Sequence, residues 1–140
     1  MQVSDGMSRL VVTVGPGHTL RAAASLMADR KTGAAVVLDA DTPGPAIITE
    51  RDILMAIGSG LDPDSELVAG HLTSNVVFAA PQWSIEEAAV AMVRGGFRHL
   101  LVIDDGELVG VLSVRDIVRV WTEDGAICEL PDPVTVGSAS

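Results

Sequence analysis

Apolar residues fall along this chain in two alternating rhythms. Short continuous runs read as buried strands, and stretches with a spacing of three to four read as helices. Residues 10–14 are β-branched and predict a strand. Thr19 is placed to cap a helix that carries Leu20, Ala23, Ala24 and Met27 on one face and ends near Arg30, closed by Lys31-Thr32-Gly33. Residues 34–38 are uniformly apolar and predict a buried strand, a turn over 41–45 leads to a second strand at 46–48, and Thr49 opens a helix bearing Ile53, Leu54 and Ile57 that stops at Gly58-Ser59-Gly60.

After a polar connector the same series begins again. Residues 75–78 predict a strand, Ser84 caps a helix with Ile85, Ala88, Ala89 and Met92 on one face, and Gly95-Gly96 stops it. Residues 97–103 predict a buried strand, Asp104-Asp105-Gly106-Glu107 a hairpin turn, 108–112 its partner strand, and 113–121 a last helix. The recurrence is also one of residues. Pro16, Thr19, Leu20, Met27, Val37 and Asp39 match Pro81, Ser84, Ile85, Met92, Val102 and Asp104 at a constant offset of 65. The offset becomes 64 for Thr49, Arg51 and Asp52 against Ser113, Arg115 and Asp116. The lost residue falls in the turn at 40–45, where a change of length costs little. The chain is therefore a tandem repeat, with a first repeat at 10–60, a connector at 61–74, a second repeat at 75–121 and an acidic tail at 122–140 expected to be mobile. Residues 1–9 carry few structural signals and are expected to form a partly ordered arm, and a short helix is expected within 66–71.

Composition narrows the function. With 140 residues and 48% hydrophobic content the chain can bury one sizeable core, although aromatics are only 3% and small aliphatic side chains must fill it. A net charge of −10 argues against a nucleic-acid surface and against attraction to anionic lipid. The single cysteine, Cys128, excludes an intramolecular disulfide and reads as a reduced thiol. Neither a basic-then-apolar leader nor an apolar run near the roughly 18 residues of a membrane span is visible, so a cytoplasmic location is expected. Three scattered histidines and one late cysteine make no metal motif, and no nucleophile–base pair supports an enzyme.

Both repeats end a strand in the same device, Ile47-Ile48-Thr49-Glu50-Arg51-Asp52-Ile53 and Val111-Leu112-Ser113-Val114-Arg115-Asp116-Ile117. The Thr or Ser can cap the helix that follows, with Asp in the capping-box position. Together with Pro-x-x-Thr/Ser-Leu/Ile-x-x-Ala-Ala-x-x-Met and a central apolar strand ending in Asp, the duplicated set resembles the cystathionine β-synthase (CBS) domain. Two copies in tandem resemble a CBS pair, or Bateman module. The resemblance spans about residues 10–121 and implies an α/β fold, two β-α-β-β-α repeats related by a pseudo-two-fold axis in one compact module.

The resemblance also implies a role. CBS pairs are regulatory modules that hold adenosine-containing ligands, AMP, ADP, ATP or S-adenosylmethionine, in the cleft between repeats. Carried over residue by residue, Asp52 and Asp116 would hold ribose hydroxyls, and Thr49 and Ser113 would lie near phosphate or ribose. Arg51, Arg115, Arg98 and His99 would reach phosphate, and Val12, Val77, Ala35 and Leu100 would lie beside adenine. The chemistry is sensible by itself, because a carboxylate accepts two hydrogen bonds from a cis-diol and a capped helix N-terminus with an arginine suits phosphate. No obligatory cofactor is implied. A homodimer built on helix faces bearing Ile53, Leu54, Ile57, Ile117, Val118 and Trp121 is expected, together with a separate effector protein. The alternative is a ligand-free pair that acts through its dimer surface. The chain departs from the family pattern at Gly33-Ala34, which stand where the second repeat has Arg98-His99, at Ala46 in place of Gly110, and at Leu101, a position that is often proline. The two halves of the cleft are therefore expected to be unequal.

Overall fold

The computed structural model describes residues 1–41 and 44–123. Cys128 and nearly all of the acidic tail lie outside the described residues. The first repeat runs β1 (Thr13–Val14), α2 (Leu20–Asp29), β2 (Ala34–Val37), β3 (Ala46–Thr49) and α3 (Glu50–Gly58), preceded by a short helix α1 (Val3–Gly6). The second runs β4 (Phe78–Ala79), α4 (Ile85–Gly95), β5 (His99–Asp104), β6 (Glu107–Ser113) and α5 (Val114–Glu123), preceded by a 3-10 turn at Val68–Gly70. Each repeat forms its own three-stranded sheet, β1-β2-β3 and β4-β5-β6, with the outer pairings parallel and then antiparallel.

Local chemistry sets these elements as the sequence requires. Thr19 and Ser84 accept the amide hydrogens of Ala22 and Glu87 and so cap α2 and α4. Asp105 and Gly106, at φ 52° and 81°, make the two-residue hairpin between β5 and β6. One closure differs from expectation: the left-handed residue after α2 is Lys31, at φ 53°, and not Gly33. Gly33 is small for another reason, the approach of Glu50 described below.

Each repeat has its own core. Leu20, Ala23, Met27, Ala35 and Ile48 fill the first, and Ile85, Ala88, Met92, Leu100 and Leu112 the second. A third cluster of Ala34, Val36, Ile47 and Leu101 lies on the opposite faces of β2, β3 and β5 and joins the repeats. Period-two alternation lets one strand serve both, since successive side chains point to opposite faces.

The stretch at 1–9 is not a loose arm. Val3 is fully buried in the second repeat's core, its N–H bonds to Trp83 O at 2.7 Å, and Ser4 N–H bonds to Pro81 O at 3.0 Å. The segment before the second repeat does the mirror-image thing. Val68 is fully buried in the first repeat's core, with Val68 N–H on His18 O at 2.8 Å and Ala69 N–H on Pro16 O at 3.0 Å. Further on, Ser8 exchanges both backbone bonds with Val111, and Thr73 does the same with Ile47, all between 2.8 and 3.0 Å. Every one of these pairs keeps the 65- or 64-residue offset. The leader of each repeat is thus docked on the other repeat and adds a rung to its edge strand, so the halves are laced together rather than merely stacked.

Candidate ligand-binding cleft

The strand-to-helix turns lie beside the joint between repeats. In the first repeat, Thr49 N–H donates to Asp52 Oδ2 at 2.9 Å, Thr49 Oγ1–H to the same oxygen at 3.0 Å, and Asp52 N–H returns a bond to Thr49 Oγ1 at 3.3 Å. In the second, Ser113 N–H donates to Asp116 Oδ2 at 2.9 Å and Asp116 N–H to Ser113 Oγ at 3.0 Å. Aspartate does here what glutamate or glutamine usually does in a capping box. The cap occupies Oδ2 of each carboxylate. Asp52 Oδ1 has no protein partner among the described residues, whereas Asp116 Oδ1 lies 3.6 Å from the Arg119 guanidinium, which also donates to Gly6 O at 2.9 Å.

Two cavities open on these turns. The smaller, of about 310 Å³, is lined by Thr49, Arg51, Asp52 and Arg98, with Thr73 and Asn75 of the second leader. The larger, of about 800 Å³, is lined by Ser113, Arg115, Asp116, Val12 and Ala35, with Ser8 and Leu10 of the first leader. They are pseudo-symmetric copies of one site. The backbone joint is the same in both: Glu50 N–H bonds to Gly33 O at 2.9 Å and Val114 N–H to Arg98 O at 3.0 Å. Their sizes differ because Phe97 and Arg98 occupy one site where Thr32 and Gly33 stand in the other. Glu50 and His99, one from each repeat, line both cavities and form the wall between them.

Two of the adenine-side residues taken from the family pattern are elsewhere. Leu100 is only 1% exposed in the second repeat's core, and Val77 packs against the same core. Their counterparts Ala35 and Val12 do reach the larger cavity. The bulk of Phe97, Arg98 and His99 closes the smaller cavity before it reaches that depth, and its apolar lining comes from Ile47 of β3, from Val76 ahead of β4 and from Phe97. Arg98 stands with Asp52, so the basic residue of the second repeat serves the turn of the first.

Several lining residues were not anticipated. Ser8 and Thr73 had a signal in the sequence, the match of Val3, Met7 and Ser8 with Val68, Leu72 and Thr73 at the common offset. Glu50 had a weaker one, as the residue inside the strand-end motif that differs most from its counterpart Val114. Burial pushes the His99 imidazole below its ordinary pKa of 6.5; the Glu50 and Asp116 carboxylates pull it back, and Arg98 adds to the depression. Among the described residues no group of three or more His, Cys, Asp or Glu is arranged to hold a metal, and no helix is long and apolar enough to cross a membrane.

A duplicated α/β unit with a polar strand-to-helix turn beside a cavity in each half defines a tandem-repeat module with two pseudo-symmetric cavities. The CBS domain family matches the chain twice, over residues 2–59 and 68–123, and the protein belongs to that family as a tandem CBS pair. Among solved structures it is similar to the CBS domain protein PAE2072 from Pyrobaculum aerophilum complexed with AMP, 32% identical over 88% of this chain and 99% of that one, with a TM-score of 0.74. It is also similar to the hexameric CBS-CP12 protein from bloom-forming cyanobacteria, 27% identical over 88% of this chain and 73% of that one, with a TM-score of 0.81. Among curated proteins, the uncharacterized protein MJ1225 of Methanocaldococcus jannaschii is 28% identical over 89% of this chain, and the chain spans 44% of its length.

Proposed function

We propose that the protein is a regulatory module that binds an adenosine-containing ligand in its cleft and passes the occupied state to a separate effector protein. The observation that carries the reading is the pair of pseudo-symmetric cavities, each combining a capped helix N-terminus, an aspartate and an arginine. A ribose diol is matched by the aspartate and a phosphate by the arginine and the helix terminus. The AMP complex of the Pyrobaculum relative supports the same ligand class. Ligand binding across a cleft whose two sides belong to different repeats changes the relative stability of their arrangements, which is the physical basis of a signal.

Self-association is the second part of the proposal. Leu54, Met55 and Ile57 on α3 are 68%, 61% and 51% exposed, and Val118 on α5 is 49% exposed, more apolar surface than a solitary helix pair leaves to water. The hexameric cyanobacterial relative supports self-association. A homodimer is the simplest closed form.

Isothermal titration with AMP, ADP, ATP and S-adenosylmethionine tests the first part, on the parent protein and on Asp52→Ala and Asp116→Ala. Saturable binding that either variant abolishes at one site supports it. Absence of heat and of any thermal shift with all four ligands overturns it and leaves the ligand-free interaction module.

A further inference from the structure

The loop between helix and central strand carries a basic pair in both repeats, but at different places. Residues 30–34 read Arg-Lys-Thr-Gly-Ala, and the matching residues 95–99 read Gly-Gly-Phe-Arg-His. In the second repeat the two residues, Arg98 as a fixed cation and His99 held towards its neutral form by burial, stand at the start of β5, beside Asp52 and Arg51 in the smaller cavity. In the first the basic residues stand three residues earlier, at the exposed end of α2, and both Arg30 and Lys31 line the larger cavity. The inner position they vacate is Gly33, and the Glu50 carboxylate fills the space beside it. The inner position thus carries a guanidinium in the smaller cavity, where Arg98 and Arg51 offset the Glu50 carboxylate that lines both cavities, and carries none in the larger, where Glu50 stands beside Gly33.

Packing shows that the exchange is concerted. A Cβ at Gly95 would stand 2.2 Å from the Phe97 ring, so an outer residue with a side chain would displace the inner phenylalanine from its present position. The first repeat has Thr32 where the second has Phe97, which frees the outer position for Arg30. Lys31 and Gly96 occupy the same left-handed conformation, φ 53° and 71°. Glycine takes it without strain; the first repeat holds a lysine there despite the strain, at the cavity margin.

We infer that the two cavities sort nucleotides by the length of their phosphate chain. The smaller takes a nucleoside monophosphate, met close to the ribose aspartate by Arg98 and Arg51. The larger takes a nucleoside di- or triphosphate, whose outer phosphates reach Arg30 and Lys31. The inference rests on the adenosine reading given above and names the ligand of each site.

The test is titration with AMP and ATP in an Asp52→Ala background, which silences the smaller cavity, with and without Arg30→Ala and Lys31→Gly. The expected result is an ATP preference over AMP that falls by about tenfold or more in the triple variant, the loss of two charge-assisted contacts. Lys31→Gly installs the second repeat's own residue and relieves a strained conformation, so loss of fold does not confuse the result. A preference for ATP that survives the triple variant, or equal affinity for AMP and ATP in the Asp52→Ala background, overturns the inference while leaving the adenosine reading intact. Failure of the parent protein to bind any adenine nucleotide overturns both.

Discussion

The Glu50 carboxylate carbon lies 3.1 Å from the point where a Cβ on Gly33 would stand. At the matching place in the second repeat the pair is Arg98 and Val114, joined by the same backbone bond. One pseudo-symmetric joint therefore carries opposite charge in its two copies, and that difference makes the halves of the cleft unlike.

A methyl group at Gly33 tests how rigid this contact is. Glu50 is exposed at the first position of α3 and can swing aside, so Gly33→Ala is expected to cost less than about 1 kcal/mol. Gly110→Ala is the contrast. Its Cβ would meet Ser8 O at 2.7 Å and Met7 Sδ at 2.9 Å, and a backbone oxygen cannot rotate away. A loss of about 1–3 kcal/mol is expected, with faster hydrogen exchange over the first leader. Urea denaturation of both variants checks the ranking; equal losses would mean that the leader yields freely.

The repeat, the order of elements and the capped strand ends were legible in the sequence because each has a local cause. Thr19, Ser84, Thr49 and Ser113 cap the helices they precede, and Asp105-Gly106 makes its hairpin. The docking of each leader on the other repeat was not legible. Val3 and Met7, or Val68 and Leu72, give too few apolar positions to show a period, and what buries Val3 is a surface of the other repeat that begins at Ala79, far along the chain. The cavity-lining strand residues were legible on one side only. Alternation says that a side chain points up or down, but the depth of each cavity depends on the bulk of Phe97 and Arg98 across from it.

Exchange of the leaders predicts that their anchors matter equally. Val3 and Val68 are both fully buried, at matching places in the two cores. Val3→Ala and Val68→Ala are each expected to lower stability by roughly 1.5–3 kcal/mol, the value of a buried valine side chain. Thermal denaturation measures both. A Val3→Ala variant as stable as the parent would show that the first leader contributes nothing to the fold.

The strained lysine makes a prediction of the opposite sign. A residue with a Cβ held at φ 53° costs about 1–2 kcal/mol relative to its relaxed backbone, and glycine avoids that cost at some loss of chain entropy. Lys31→Gly is therefore expected to stabilise the protein by up to about 1 kcal/mol in the absence of nucleotide. Stability and ATP affinity then move in opposite directions in one variant, which separates a residue kept for binding from one kept for folding. A destabilised Lys31→Gly protein in urea titration would count against this account.

The helix caps require a control in any binding experiment. Ser113 Oγ accepts Asp116 N–H at 3.0 Å, so Ser113→Ala is expected to cost roughly 1 kcal/mol of stability with no ligand present. Asp116→Asn keeps a side-chain oxygen for the Ser113 amide while removing the charge, and is expected to cost less stability than Ser113→Ala but to weaken ribose binding. Paired melting curves with and without ATP, the nucleotide assigned to the larger cavity that Ser113 and Asp116 line, distinguish the two, and equal shifts for both variants would remove the carboxylate from the binding account.

His99 gives the wall between the cavities a dependence on pH. Its pKa in the folded protein is held below the ordinary 6.5 by burial first, and by Arg98 at its side, while Glu50 from α3 and Asp116 from α5 partly offset them. In the unfolded chain the imidazole takes up a proton more readily, so the unfolded state binds more protons just below pH 6.5. The stability contributed by a neutral His99 is therefore fully present above that pH and is lost as the pH falls through the folded pKa. His99→Gln is expected to flatten this part of the stability profile without changing it above pH 7.5, a range roughly one unit clear of the ordinary histidine value. A phosphate placed in either cavity faces the same ring and favours its charged form, so nucleotide binding near pH 6.5 is expected to draw in a proton. Titration in two buffers of different ionisation enthalpy measures that uptake directly. The same heat in both buffers, or an uptake unchanged by His99→Gln, would show that the imidazole does not sense the ligand.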